Sequence, residues 1–143
     1  MPSMKPIAVT SATLTLTRNV HANGVSVVLN TATGVTVTLP QATGSGDEYE
    51  ITVGTSVTSN NHIIQVANST DIIQGAAVMP SPGTSGSFSS TATSDTITMN
   101  GGTTGGIKGS SVTIKDVATG LFVIKAGAIL ATGTAATPFS AAV

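Results

Sequence analysis

The chain contains no cysteine and no tryptophan, and only 8% of its 143 residues are charged. Without cysteine, neither a disulfide framework nor a thiolate metal site is possible. An average soluble protein is about 25% charged, so Thr, Ser, Asn, Gln and Gly must supply most of the polar surface here. The net charge of -1 predicts no attraction to nucleic acid or to an anionic membrane. Because an uncharged surface favours association, we expect partners to cover much of it.

Long apolar runs are also missing. No segment approaches the roughly 18 unbroken apolar residues of a membrane span, so we expect no membrane partner. The residues Met1–Pro6 lack a basic stretch followed by an apolar run, and we therefore expect no signal peptide.

Groups that could carry out catalysis are scarce. The chain has eleven charged residues and two histidines, and it contains no GxSxG, GxGxxG or GxxxxGK[ST] motif. His21 and His62 lie far apart, with no further ligand at metal-binding spacing, so we expect structural histidines. We expect no enzyme activity, no cofactor, and neither catalytic nor metal-binding residues.

The acidic residues Asp47, Glu48 and Glu50 form one cluster with two interpretations. A carboxylate pair or a cation site would need further groups nearby, and the sequence supplies none. We favour a solvated turn that leads into a strand, with Glu48 and Glu50 on one face and Tyr49 on the other. The scattered cations fit either a weak basic face or ordinary solvating charges, and we favour the second; they are Arg18, Lys108, Lys115 and Lys125.

Apolar residues alternate with threonine along most of the chain. This period of two is typical of strands with one buried face, and threonine suits the wet face. Segments 111–115 and 121–126 predict a hairpin around the turn 116–120. Helical periodicity is weak, although a short turn near 71–77, capped by Asp71, is an alternative. The fold class is therefore all-β: a single-domain β-sandwich or jelly-roll-like barrel with extended N- and C-terminal arms.

Three segments depart from this pattern. We predict an N-terminal arm at 1–12, a β domain at 13–131 that contains a long exposed loop at about 78–92, and a C-terminal tail at 132–143. Arms of this kind often reach a neighbouring molecule, although Phe139 would suit a neighbour's pocket and its own domain equally well. The predicted partner contacts are Pro2, Lys5, Pro6, Pro138 and Phe139.

Several segments resemble those of small virion proteins of tailed phages. Residues 37–49 read VTLPQATGSGDEY, and the pattern continues in ITVG at 51–54 and IQVANSTD at 64–71. It returns in SDTIT at 94–98 and TGTAATPFS at 132–140. Together these segments span most of the chain after residue 30.

The resemblance implies a capsid decoration (cement) protein on the outer surface of an icosahedral phage head, made in the host cytoplasm. Such proteins commonly form homotrimers at three-fold positions and bridge subunits of the major capsid protein. The alternative is a trimeric tail-fibre, head-fibre or spike domain that binds the host surface, although few aromatic residues are present to stack on sugars. A small glycan hydrolase is a third class, and Asp47, Glu48 and Glu50 are its only candidate residues.

Overall fold

A computed structural model describes residues 6–143, which form thirteen strands and one helical turn, α1 (Arg18–His21). The strands form where apolar residues alternate with threonine, because a strand directs alternate side chains to opposite faces. Sheet A contains β1 (Ile7–Val9), β3 (Ser26–Leu29), β5 (Glu48–Val53), β7 (Ile72–Gln74), β8 (Ala76–Met79), β9 (Gly86–Ser89), β11 (Ser111–Ala118) and β12 (Leu121–Ala128). Sheet B contains β2 (Thr13–Thr15), β4 (Thr36–Thr38), β6 (His62–Gln65), β10 (Thr96–Met99) and β13 (Phe139–Ser140).

The two sheets pack face to face around one hydrophobic core. The strand order is β1-β3-β5-β11-β12-β8-β9 in sheet A, where β7 also pairs with β12, and β13-β10-β6-β4-β2 in sheet B. The predicted all-β, sandwich-like fold is confirmed, and the described strands do not close into a barrel. The largest side chains that are fully buried come from both sheets and their connections, and they include Phe122, Leu16, Leu29, Leu39, Ile51, Ile64, Ile73, Met79, Ile97, Met99, Ile114 and Ile129.

The first six strands alternate between the sheets, so each pair makes one turn of a parallel stack. In sheet A, Val27 lies between Ile7 and Ile51 in parallel register. In sheet B, Val37 lies between Leu14 and Ile64 in the same way. Aliphatic side chains from successive turns therefore lie above one another inside the sandwich. We call β1–β6 the parallel stack.

The second half of the chain covers one end of the parallel stack. Strand β10 pairs antiparallel with β6, and β11 pairs antiparallel with β5. The predicted hairpin is confirmed, because β11 and β12 pair antiparallel, but the predicted turn at 116–120 is too long: β11 continues to Ala118 and Asp116 is paired with Phe122. The other end of the stack carries β1 and β2, which are edge strands of their sheets.

Two predicted segments differ from the structure. Residues 78–92 do not form a long loop, because β8 and β9 make an antiparallel hairpin there. Pro80 and Pro82, which suggested a loop, lie in the turn of this hairpin. The helical alternative at 71–77 is wrong, because β7 occupies this region. Gly75 interrupts the strand there with φ +140°, and an added Cβ would lie 2.9 Å from Cβ of Ile124.

Part of each predicted arm belongs to the sandwich. Ile7–Val9 of the N-terminal arm forms β1, and Val9 is buried. In the C-terminal tail, Phe139–Ser140 pairs with β10, and the side chain of Phe139 is only 8% exposed. The physical reason is the same at both ends: each segment carries an apolar side chain that fills a place in the core, and its backbone pairs with a sheet edge.

Candidate interaction surface

The outer face of sheet A carries both signs of charge. Glu48 and Glu50 project from it, as predicted, while Tyr49 points into the core and is 2% exposed. Glu48 Oε1 lies 2.7 Å from Lys125 Nζ and 3.9 Å from Lys115 Nζ. The hydrogen bond from Lys125 is the main reason why the pKa of Glu48 lies below its ordinary value. These cations therefore balance a neighbouring carboxylate and form no separate basic face.

Asp47 differs from the solvated residue that we expected, because it is only 3% exposed. It accepts hydrogen bonds from Asn23 Nδ2 at 2.8 Å and Ser45 Oγ at 2.8 Å, and Arg18 Nε lies 2.7 Å away. The Asn23 amide, followed by Ser45 and Arg18, holds the pKa of Asp47 below its ordinary value despite burial. Asp47 fixes the turn that precedes β5 and is buried, whereas Glu50 is exposed.

Asp116 is a buried carboxylate that the sequence analysis did not single out. It accepts hydrogen bonds from the N–H of Thr43 at 3.0 Å, the N–H of Gly44 at 2.7 Å and Ser45 Oγ at 3.0 Å. Burial would raise the pKa of Asp116, but these donors outweigh it and the pKa lies below its ordinary value. The only available signal was its position, two residues after Ile114 on the buried side of a strand.

Both histidines bond to the backbone. His62 is fully buried, and its Nδ1 accepts the N–H of Val35 at 3.1 Å. Because burial disfavours the charged ring, the pKa of His62 lies below its ordinary value, although a contact with the Thr55 carbonyl opposes the shift. His21 Nδ1 accepts the N–H of Thr17 at 2.9 Å. Across residues 6–143, no three His, Asp or Glu side chains are grouped so that they could hold a metal ion.

The outer face of sheet B is very different from that of sheet A. Its five strands contain no Asp, Glu, Lys or Arg, and their one histidine, His62, points into the core. Strand register places the outward side chains in two rows. One row is Thr13, Thr36, Ile63 and Thr98, and the other is Thr15, Thr38, Gln65, Thr96 and Ser140. We call these two rows the threonine face.

The threonine face is open at the end of the parallel stack and covered at the other end. Thr13 and Thr15 are exposed, and Thr36 and Thr38 are half-buried, whereas Thr96 is only 2% exposed. A groove of about 410 Å³ borders the open part. Its lining is mainly small and uncharged: Ala12, Thr13, Thr33, Gly34, Thr36, Asn60, Asn61 and Ile63. The accessible part of this surface therefore offers hydroxyls, amides and methyl groups.

A second concavity lies at the β8–β9 turn. It has a volume of about 350 Å³ and is mainly apolar, with Pro80, Pro82, Ile107 and Leu130 in its wall. No charged side chain lines it.

The predicted contact residues have different locations. Pro2 and Lys5 lie outside the described residues, and Pro6 is exposed just before β1. Pro138 and Phe139 are buried, and the carbonyl of Pro138 accepts the N–H of Thr98 at 2.8 Å. Phe139 therefore packs against its own domain, which is one of the two predicted alternatives.

Comparisons with protein-family models, with curated proteins and with solved structures find no match to this chain. Within the described part of the chain, no helix is long and apolar enough to cross a membrane.

Proposed function

We propose that this chain is a capsid decoration (cement) protein. It binds the outer surface of an icosahedral phage head, bridges subunits of the major capsid protein and stabilises the shell. The observation that carries the proposal is the threonine face: the strands of sheet B direct no ionisable side chain outward, while the charged side chains of the sheet A strands lie on the opposite outer face. A molecule divided in this way has one side suited to water and another suited to lie against protein, because cores of interfaces are depleted in charge.

The size of the threonine face argues for several copies acting together. Five strands spaced by about 4.8 Å, each with two to four residues rising about 3.3 Å, cover roughly 250 Å² in projection. A stable interface buries about 800 Å² on each partner, which is about an eighth of the 6517 Å² accessible surface of the described chain. One face alone is therefore too small. Linked copies in a homotrimer would raise the effective affinity by roughly 10²–10⁴.

Uncharged contacts also suit a shell-stabilising role. Contacts between exposed charges are screened by salt, whereas hydrogen bonds and apolar contacts lose little strength. We therefore expect attachment to the shell to survive changes in ionic strength.

Copy number tests this proposal against the fibre or spike alternative. Quantitative mass spectrometry of purified virions is expected to find hundreds of copies per particle. A few dozen copies or fewer would instead indicate the tail-fibre, head-fibre or spike domain.

A matched pair of variants tests which face binds. The double variant Thr36→Lys, Thr38→Lys adds two charges to the threonine face. The double variant Thr52→Lys, Thr113→Lys adds two charges to the outer face of sheet A. In co-sedimentation with purified heads that lack this protein, the first variant is expected to lose binding and the second to retain it. Equal binding by the two variants would contradict the assignment of the face.

A further inference from the structure

The free edge of β2 presents unused backbone hydrogen-bonding groups. The N–H of Leu16 bonds to the carbonyl of Thr38, and the carbonyl of Ala12 accepts the N–H of Thr36. Alternate residues of a strand direct their backbone groups to the same side, so those of Thr13 and Thr15 point away from β4. The carbonyl of Thr13 accepts the hydroxyl of Ser11 at 2.9 Å. Among the described residues, the N–H of Thr13 and both backbone groups of Thr15 have no partner.

Apart from its short length of three residues, this edge has none of the features that usually protect a sheet edge. Proteins commonly block edges with charged side chains, proline or a bulge. Between Ile7 and Thr17 the chain contains no charged residue and no proline, and β2 pairs with β4 without a bulge. By contrast, the opposite edge of sheet B is the two-residue strand β13, where the N–H groups of Ala142 and Val143 bond to the buried Asp95.

The parallel stack shows which kind of strand fits beside β2. Its neighbour β4 has the sequence Thr-Val-Thr, with threonines outward and Val37 inward, in parallel register. A further strand of the same type would cover the half-buried Leu14 and continue both rows of the threonine face. It would add a fourth parallel strand to sheet B, beside β2, β4 and β6.

We propose that an extended, uncharged segment of the capsid protein pairs with the free edge of β2. This inference rests on the proposed function and specifies its contact. The segment runs parallel to β2, places polar side chains beside Thr13 and Thr15 and places an aliphatic side chain over Leu14. Such strand addition takes its affinity from main-chain hydrogen bonds and its specificity from alternate side chains. It also supplies contact area that the threonine face lacks.

Proline substitution tests the hydrogen bonds directly. Thr15→Pro removes an N–H that points to the free edge, and proline is tolerated on edge strands whose N–H faces solvent. We expect its affinity for purified heads lacking this protein to fall about tenfold or more, since about tenfold corresponds to one lost hydrogen bond. Thr15→Val keeps the N–H and changes only the side chain, so it separates the two contributions: if its affinity falls as far as that of Thr15→Pro, the loss does not come from the hydrogen bond and the proposal is overturned.

Ala8→Pro is the matched proline control. The carbonyl of Val9 accepts the N–H of Asn30, so Val9 faces β3 and the N–H of Ala8 points to the free edge of β1. This variant carries the same backbone change at the other sheet and is expected to bind normally. A similar loss in both proline variants would overturn the assignment to β2.

Hydrogen exchange supplies a readout that does not depend on any variant. In the free protein, the amide of Thr15 is expected to exchange quickly and that of Leu16, which is bonded to Thr38, slowly. On heads, the Thr15 amide is expected to become protected. If wild-type protein binds heads but Thr15 stays unprotected, strand addition at β2 is wrong and the proposed function stands. If wild-type protein does not bind heads at all, both proposals fail.

Discussion

Removing the carboxylate of Asp116 is expected to destabilise the fold substantially. Asp116→Ala leaves the backbone N–H groups of Thr43 and Gly44 without their acceptor, whereas the Ser45 hydroxyl, which also lies 2.8 Å from Asp47 Oδ2, keeps a partner. A buried donor that loses its partner costs about 1–3 kcal/mol. Because Thr43 and Gly44 are themselves exposed, water can reach them in part, and we expect a total of about 2–4 kcal/mol. That is a large share of the roughly 5–15 kcal/mol that stabilises a typical domain.

Equilibrium unfolding in guanidinium chloride measures this change, and the corresponding fall in Tm is about 5–15 °C. Glu50→Ala is the control, since Glu50 is exposed and accepts one hydrogen bond from Ser26 at 3.1 Å; its effect is expected to stay within about 0.5 kcal/mol. Asp116→Asn is expected to fall between the two. If Asp116→Ala costs no more than Glu50→Ala, the loop 43–45 does not depend on this carboxylate, and the reasoning is refuted.

The same carboxylate predicts a pH dependence. Since the folded pKa of Asp116 is lowered, its ionisation stabilises the fold above the ordinary pKa of 3.8. This stabilisation is lost as the pH falls through the folded pKa. The difference in unfolding free energy between wild type and Asp116→Asn is therefore expected to shrink as the pH falls below 3.8. A difference that stays constant down to pH 2 would contradict this linkage.

Three further predictions concern the core. The lowered pKa of His62 keeps the imidazole neutral in the fold, so the contribution of His62 to stability is complete above pH 6.5 and declines as the pH falls below 6.5 toward the folded pKa. His62→Gln should flatten this decline in the unfolding free energy, measured from unfolding curves at several pH values. An unchanged slope would contradict the role of His62. Leu39→Ala should lower the unfolding free energy by about 2–5 kcal/mol, because Leu39 is fully buried. Thr38→Ala should lower it by under about 0.5 kcal/mol, because Thr38 faces outward. Similar losses for the two variants in chemical denaturation would mean that the inward and outward faces are wrongly assigned. Phe139→Ala should cost about 3 kcal/mol or somewhat more, which calorimetry would register as a lower Tm, whereas an unchanged Tm would show that the side chain is not needed by its own core.

Alternation of side chains made the strands and the fold class predictable. The Leu121–Ala128 strand and its hairpin partner could be located because their turn is short and local. The parallel stack could not, because pairing of Ile7 with Val27 and of Val27 with Ile51 joins segments some twenty residues apart. Glycine, proline and serine near 78–92 led to the prediction of a long exposed loop, whereas only 80–85 connect two strands there. Local composition does not reveal that Phe88 is partly buried against the core.

The candidate surface was less predictable than the fold. The low charge of the chain was evident, but its segregation was not, because that requires knowing which strands belong to which sheet. Glu48 and Glu50 were correctly assigned to one face from their spacing alone. Asp47 and Asp116 were not recognised as neighbours, since 69 positions separate them in sequence and only the fold brings both within reach of Ser45.

The pairing of early strands with late ones has a consequence for synthesis on the ribosome. Strand β5 is complete at Val53, but its partner β11 ends only at Ala118. At about 5–20 residues per second, the nascent chain exposes that edge for roughly 3–13 s. Over this interval it holds an unfinished sandwich with very little charge to keep neighbouring chains apart. Fewer chains per cell should therefore raise the yield of correctly folded protein.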